Sequence, residues 1–121
     1  MNKRQFKEEY EKILNRSILF SEKARREGML ALEDELNISK VKQKDVFELA
    51  LKFVIDGTDQ AVIEKICLNL INQENNKQLK TLKTIQMVAA LSIQAGENTR
   101  IMKVTLNSYT DFPLPSDTFN D

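Results

Sequence analysis

The chain has 121 residues with 18 basic and 18 acidic side chains, so its formal net charge at pH 7 is zero. This length corresponds to one domain, and the balanced charge argues against binding nucleic acid through a uniformly positive surface. Hydrophobic residues make up 41 % and charged residues 30 % of the chain, which is typical of a globular protein rather than a disordered one.

The residue counts also exclude several kinds of active site. The chain has no His, which is the commonest general base and metal ligand. Its single cysteine, Cys67, permits no internal disulfide or cysteine-rich zinc site, and its position on an apolar face predicts a buried structural role. No phosphate-binding glycine motif, membrane span or signal peptide is visible. We therefore expect a non-enzymatic protein that uses no cofactor or metal and spans no membrane.

Helical periodicity predicts an all-α fold, a single small domain of about five helices. The first helix is the longest and covers about residues 3–36. Its apolar residues recur at steps of three and four and share one face, which consists of Phe6, Tyr10, Ile13, Leu14, Ser17, Phe20, Ala24, Gly28 and Leu32. Glycine inside a helix costs about 1 kcal/mol relative to alanine, so we expect close packing of another helix at Gly28. A break of the helix near residues 16–21 is the alternative.

Four shorter helices follow, at about residues 45–56, 60–74, 77–95 and 99–109. A polar connection, NISKVKQKD, precedes the first of them and ends at Asp45, which suits an N-cap. We expect residues 1–110 to form the helical domain. Residues 111–121 contain both prolines and no periodicity, so we expect an extended or disordered tail.

Two tight corners separate neighbouring helices. The first, DGTD, has Gly57 for a left-handed C-cap and then Thr58 or Asp59 for the next N-cap. The second, AGEN, has Gly96 and Asn98 for the same two roles. Both corners therefore predict a helix, a sharp turn and a second helix.

Charged residues near the end of the first helix have an unusual order. Arg25 and Arg26 precede Glu33 and Asp34, whereas the helix dipole favours acidic residues early and basic residues late. If one helix carries both groups, this order is locally unfavourable and indicates a surface kept for an outside partner. If the helix is broken, the same charges are ordinary, and a solvated face explains them.

Three stretches of the chain resemble the cytoplasmic region of the flagellar motor stator proteins MotA and PomA. They are EKARREGMLALEDEL (22–36), ALKFVIDGTDQAVIEKI (50–66) and ALSIQAGENTRIMKVTLNSY (90–109), and they occur in the order that the family has them. The resemblance covers about residues 17–109. The family's four membrane helices have no counterpart, since its first two precede the first stretch and its last two lie between the second and the third.

The resemblance implies a soluble, cytoplasmic, MotA-like bacterial motility and chemotaxis protein, either free in the cytoplasm or peripheral to the inner membrane at the flagellar motor. Its partners would be the rotor switch protein FliG or stator subunits. The family's key Arg and Glu match Arg25 and Glu33, and together with Arg26 and Asp34 they form the expected partner-binding set. The family's proline after each corner is replaced by Gln60 and Thr99, and the missing membrane helices leave no ion pathway.

Two other interpretations remain open at this point. One is a structural scaffold or assembly factor without rotor contact. The other is an engineered, membrane-free piece of a stator A subunit. Loss of the membrane helices would also expose apolar surface. We therefore expect the fourth helix, with Lys77, Lys80 and Lys83 in its first turns, to cover the first helix, and we expect remaining apolar patches to favour a homodimer.

Overall fold

A computed structural model describes residues 1–36 and 45–119 of the chain. The described residues form five α-helices and one short 3-10 helix, with no strand, which confirms the all-α fold. The helices are α1 (Lys3–Glu27), the 3-10 helix (Met29–Asp34), α2 (Val46–Ile55), α3 (Gln60–Asn72), α4 (Lys77–Ala95) and α5 (Thr99–Asn107). The predicted polar connection lies outside the described residues except for Asp45.

Helix α4 is the centre of the fold, because it packs against each of the other four α-helices. Its contact with α1 agrees with the expectation that the fourth helix covers the first. Small residues on α4 let the neighbouring helices approach closely, since Ala89 and Ala90 are fully buried and Ser92 is nearly so. The largest fully buried side chains come from every helical element and include Leu32, Phe47, Leu51, Ile63, Ile85, Met102 and Leu106.

The expectation of one helix over residues 3–36 is wrong, because α1 ends at Glu27. Gly28 has a φ of 91°, a backbone conformation that side chains with a Cβ rarely adopt, and its N–H donates to the Ala24 carbonyl. The expected close packing at Gly28 is also wrong, since a Cβ there would meet no atom within 4 Å. Helix α1 runs without interruption through residues 16–21, so the alternative break is wrong as well.

The two corners form as the sequence predicts. Gly57 and Gly96 have φ values of 79° and 70°, and the Asn98 side chain accepts a hydrogen bond from the Ile101 N–H at the start of α5. Asp45 caps α2 in the same way. Asp59 occupies the N-cap position of α3, but its side chain accepts no capping hydrogen bond.

Arg16 ties the middle of α1 to the start of α2. Its guanidinium donates to the Asp45 carboxylate at 3.3 Å and to the Glu48 carboxylate. It also lies 5.0 Å from the ring centroid of Phe47 and 5.7 Å from that of Phe20. These contacts fix the position at which the chain enters α2.

The C-terminal segment is anchored at Phe112. The Phe112 ring lies 5.9 Å from the Phe6 ring and 5.7 Å from the Tyr10 ring, both on α1. The Asn107 side-chain amide donates to the Phe112 carbonyl at 2.9 Å. Residues 111–119 contain turns but no helix. Sequence periodicity did not predict the aromatic contact, because a single ring forms it.

Candidate partner-binding surface

All four predicted partner-binding residues lie in one short region, which we name the elbow and define as residues 23–36. It comprises the last turn of α1, Gly28 and the 3-10 helix. The elbow is held from inside by Leu32 and Leu36, which are 0 % and 5 % exposed. The Lys23 ammonium also forms an ion pair with Glu35 at 2.9 Å. The 3-10 helix therefore folds back onto α1 as a fixed part of the domain.

The basic residues of the elbow, Arg25 and Arg26, are exposed in the last turn of α1. The helix dipole favours cations at this end, so the interpretation that the charge order opposes the dipole is wrong. The error follows directly from the helix break at Gly28, which places the acidic residues in a separate element. These charges indicate a partner because they are exposed, and not because their order along a helix is unfavourable.

Arg25 and Arg26 differ in what they contact. The Arg25 guanidinium donates to the Gly96 carbonyl at 3.3 Å, which joins the elbow to the second corner. Arg26 forms no side-chain hydrogen bond or ion pair within residues 1–36 and 45–119. Arg25 thus has a structural contact to maintain, whereas Arg26 is available to an outside group.

The acidic residues of the elbow, Glu33 and Asp34, are exposed on the 3-10 helix. Their side chains form no hydrogen bond with any other described residue. A 3-10 helix repeats every three residues, so Leu30 and Glu33 share one face. Leu30 is 70 % exposed. The elbow therefore presents an apolar side chain beside a free carboxylate, with the basic turn of α1 next to them in the chain.

The electrostatic environment of the elbow is set by charges of both signs. The hydrogen bond to Glu35 raises the pKa of Lys23, with smaller contributions from Glu27 and Asp34 and some opposition from burial. Lys23 is therefore a structural cation already committed to an acidic neighbour. This arrangement of solvated charges suits polar contact with another macromolecule.

The three stretches that resemble stator proteins contact one another. Arg25 of the first reaches Gly96 of the third. The Gln94 side-chain amide of the third donates to the Thr58 carbonyl of the second at 2.8 Å. Residues far apart in the chain thus form one connected unit, which the sequence order alone did not establish.

Two features outside the elbow, a cysteine thiol and a surface groove, were also considered as candidate sites. Cys67 is fully buried, and burial raises the pKa of its thiol to about 11, which disfavours the reactive thiolate. A groove of about 710 Å³ lies between α1, α5 and the C-terminal segment and is lined in part by Leu14, Lys103 and Leu114. None of its lining residues belongs to the elbow.

The described part of the chain has no group of acidic or Cys side chains placed to hold a metal ion. It also has no helix that is both long and apolar enough to cross a membrane. No protein-family model, curated protein or solved structure matches the chain. The resemblance to stator A subunits therefore depends on the three sequence stretches alone.

Proposed function

We propose that this chain is a non-enzymatic, MotA-like interaction module of the bacterial flagellar motor. It docks from the cytoplasm onto the rotor switch protein FliG, or onto stator subunits, through the charged elbow. The observation that carries the proposal is the exposure of Arg26, Glu33 and Asp34 without side-chain partners among the described residues. The stretch that contains them is also one of the three that resemble the stator family.

The chemistry of the elbow favours a transient contact. An exposed ion pair contributes roughly 0.2–1 kcal/mol, so a few such pairs give weak affinity. Their main effects are to accelerate encounter and to reject partners of the wrong charge pattern. Leu30, which is 70 % exposed, adds an apolar contact beside these charges. A contact of this kind suits a protein that binds and releases a moving surface.

The choice of variants follows from the difference between the two arginines. Arg25→Glu would remove the bond to the Gly96 carbonyl as well as any partner contact, so a loss of binding would have two explanations. Arg26→Glu and Glu33→Lys change only exposed side chains that have no hydrogen bond among the described residues. Lys65→Glu and Glu64→Lys are matched controls, because both residues are exposed on α3, outside the elbow.

Binding of the purified chain to purified FliG and to a stator A subunit tests the proposal. We expect binding by the wild-type chain and by both α3 controls to one of these proteins, and binding weaker by about two- to thirtyfold for each elbow variant, because a charge reversal removes an exposed ion pair and adds a repulsion of similar size. Raising the salt concentration from about 0.05 M to about 0.5 M should weaken the wild-type contact, because salt screens exposed charges. Equal affinities for elbow and control variants would contradict the proposal.

Deletion of the gene separates this proposal from the assembly-factor interpretation. A docking module predicts weaker swimming with stators still recruited to the motor, because docking acts on an assembled machine. Loss of stator recruitment in the deletion strain would favour an assembly factor instead. Fluorescently labelled stators, counted at motors in the deletion and parent strains, provide this measurement.

A further inference from the structure

The C-terminal segment contacts α1 through one aromatic side chain. We name residues 111–119 the strap. The Phe112 ring of the strap packs against Phe6 and Tyr10, at centroid distances of 5.9 and 5.7 Å. The Lys7 ammonium lies 5.9 Å from the centroid of the same ring. The five residues that follow Phe112 are all exposed. Attachment of the strap therefore depends on this ring and on the three α1 residues around it, which we name the aromatic site.

The groove between α1, α5 and the strap continues from the aromatic site. Lys7 and Tyr10 line it beside Phe112, so the site and the groove form one concave surface. Leu14 and Ile18, both partly buried on α1, supply apolar lining further along. The groove volume of about 710 Å³ is within the usual range for ligand-binding clefts. The strap thus fills one end of a larger surface and leaves the rest open.

The charges of the groove and of the strap are complementary. Among the described residues of α1 and α5, the charged groups that line the groove are three basic and one acidic, namely Lys7, Arg100, Lys103 and Glu11. The strap contains two acidic residues, Asp111 and Asp117, and no basic one. A basic, partly apolar groove favours an acidic, partly apolar segment. The strap has this composition, and the structure places it against the groove.

We infer that the aromatic site and the groove bind an acidic peptide segment of another protein, one that carries a phenylalanine. The phenylalanine of the peptide takes the place of the Phe112 ring, and its carboxylates face the basic residues of the groove. The Asn107 amide, which donates to the Phe112 carbonyl at 2.9 Å, is placed to donate to the peptide backbone in the same way. The strap is then a competitor within the same chain. The inference does not depend on the proposed function, because no residue of this surface belongs to the elbow.

Competition by the strap determines what a binding experiment should show. A segment on a short tether has an effective concentration on the order of 1 mM. For a site with a dissociation constant on the order of 100 µM, such a strap weakens the binding of a peptide from solution about tenfold. Removal of the Phe112 ring should therefore strengthen peptide binding. A purely structural role of this ring predicts no such gain.

Fluorescence anisotropy of a labelled peptide with the sequence of residues 109–119, YTDFPLPSDTF, titrated with the full chain, tests the inference. The Phe112→Ala chain should bind this probe about tenfold more tightly than the wild-type chain does. Phe112→Leu keeps an apolar side chain in the aromatic site, so its affinity should lie between the two. A second probe, with alanine in place of its phenylalanine, should bind Phe112→Ala about tenfold more weakly, because no ring is buried.

The contribution of the groove charges is measured in the Phe112→Ala chain, where the strap competes least. Adding Lys103→Glu should weaken probe binding about two- to thirtyfold, because it removes an exposed attraction and adds a repulsion of similar size. Adding Lys65→Glu, which makes the same charge change on α3 outside the groove, should leave binding unchanged. Thermal unfolding followed by circular dichroism checks that every variant is folded. If Phe112→Ala does not fold, Phe112→Leu replaces it in each comparison.

Equal probe affinities for the wild-type chain and the Phe112 variants would overturn the inference, as would no binding by any of them. Equal effects of Lys103→Glu and Lys65→Glu would also overturn it. Sedimentation equilibrium distinguishes a second copy of the chain as the occupant. We expect no strap exchange up to about 100 µM, because the strap of the same chain has the higher effective concentration. Dimers that Phe112→Ala abolishes would assign the site to a second copy and contradict the inference.

Discussion

Arg16 and Arg26 lie on the same helix and have opposite roles. Arg16 is partly buried, pairs with Asp45 and Glu48, and lies over the rings of Phe20 and Phe47. Arg26 lies in the last turn, exposed and without a side-chain partner among the described residues. Helix α1 is therefore structural in its middle and available at its end. Changes in the middle should affect folding, and changes at the end should affect binding.

The largest effect is expected at the aromatic contact beneath Arg16. Phe47 is 1 % exposed, and its ring packs against Phe20 at 5.4 Å. Phe47→Ala should lower the free energy of unfolding by about 3–5 kcal/mol, because it leaves a cavity and removes the ring beneath the guanidinium. Urea denaturation measures this loss. A loss below about 1 kcal/mol would mean that the middle of α1 is not a structural contact.

Arg16 itself provides the direct contrast with Arg26. Arg16→Ala should lower the free energy of unfolding by about 2 kcal/mol, because Asp45 and Glu48 lose a charged donor where they are only partly solvated. Arg26→Ala should change it by less than about 0.5 kcal/mol. The same denaturation experiment on both variants makes the comparison. Similar losses for the two variants would contradict the division of α1 into two regions.

The boundary between these regions is Gly28. Gly28→Ala should lower the free energy of unfolding by about 1 kcal/mol, because the φ of 91° is strained for alanine. A steric explanation predicts a larger loss through a clash, but a Cβ at this position meets no atom within 4 Å. An alanine variant as stable as wild type would show that the turn does not need a positive φ.

The last effect is absent at neutral pH and concerns the pH dependence of the core. Burial raises the pKa of Cys67 from 9.0 to about 11. The folded state therefore favours the neutral thiol, and this contribution is fully present below pH 9 and is lost as the pH rises towards 11. Chemical denaturation at several pH values should show a shallower decline for Cys67→Ala than for wild type. Identical slopes would indicate that the thiol ionises as easily in the folded chain as in the unfolded one.

The ionisation of Tyr10, a second buried group, also makes stability depend on pH, in a range that adjoins that of Cys67. Burial, with a smaller contribution from the charge of Glu11, raises the pKa of Tyr10 to about 12. Its contribution to stability is present below the ordinary tyrosine pKa of 10.0 and declines above that value. The Cys67→Ala variant should therefore keep this later decline, which distinguishes the two groups.

Sequence periodicity and capping chemistry predicted most of the fold. The bounds of α4 agree with prediction, and the glycines at both corners have the expected positive φ. These features are local, since a cap or a C-terminal glycine acts within a few residues. The end of α1 was missed because Gly28 is compatible with a continuing apolar stripe, and only its φ distinguishes a break from a close contact.

The sequence argument for the candidate surface depended on a reason that the structure overturns. Arg25, Arg26, Glu33 and Asp34 are exposed and belong to one region, the elbow. The sequence offered an unfavourable charge order as the indication of function, and the break at Gly28 removes it. Arg26 is the more available arginine because Arg25 donates a hydrogen bond to the Gly96 carbonyl. That contact joins residues far apart in the chain, and no local pattern encodes it.

In the proposed function the elbow is the docking surface, and its free charges, not those of other exposed helices, give it specificity. The affinity of Arg26→Glu for FliG, measured beside that of Lys65→Glu by isothermal titration calorimetry, tests it most directly. We expect about two- to thirtyfold weaker binding for Arg26→Glu and wild-type binding for Lys65→Glu. Equal affinities for the two variants, or no binding of the wild-type chain to either FliG or a stator A subunit, would contradict the proposed docking role.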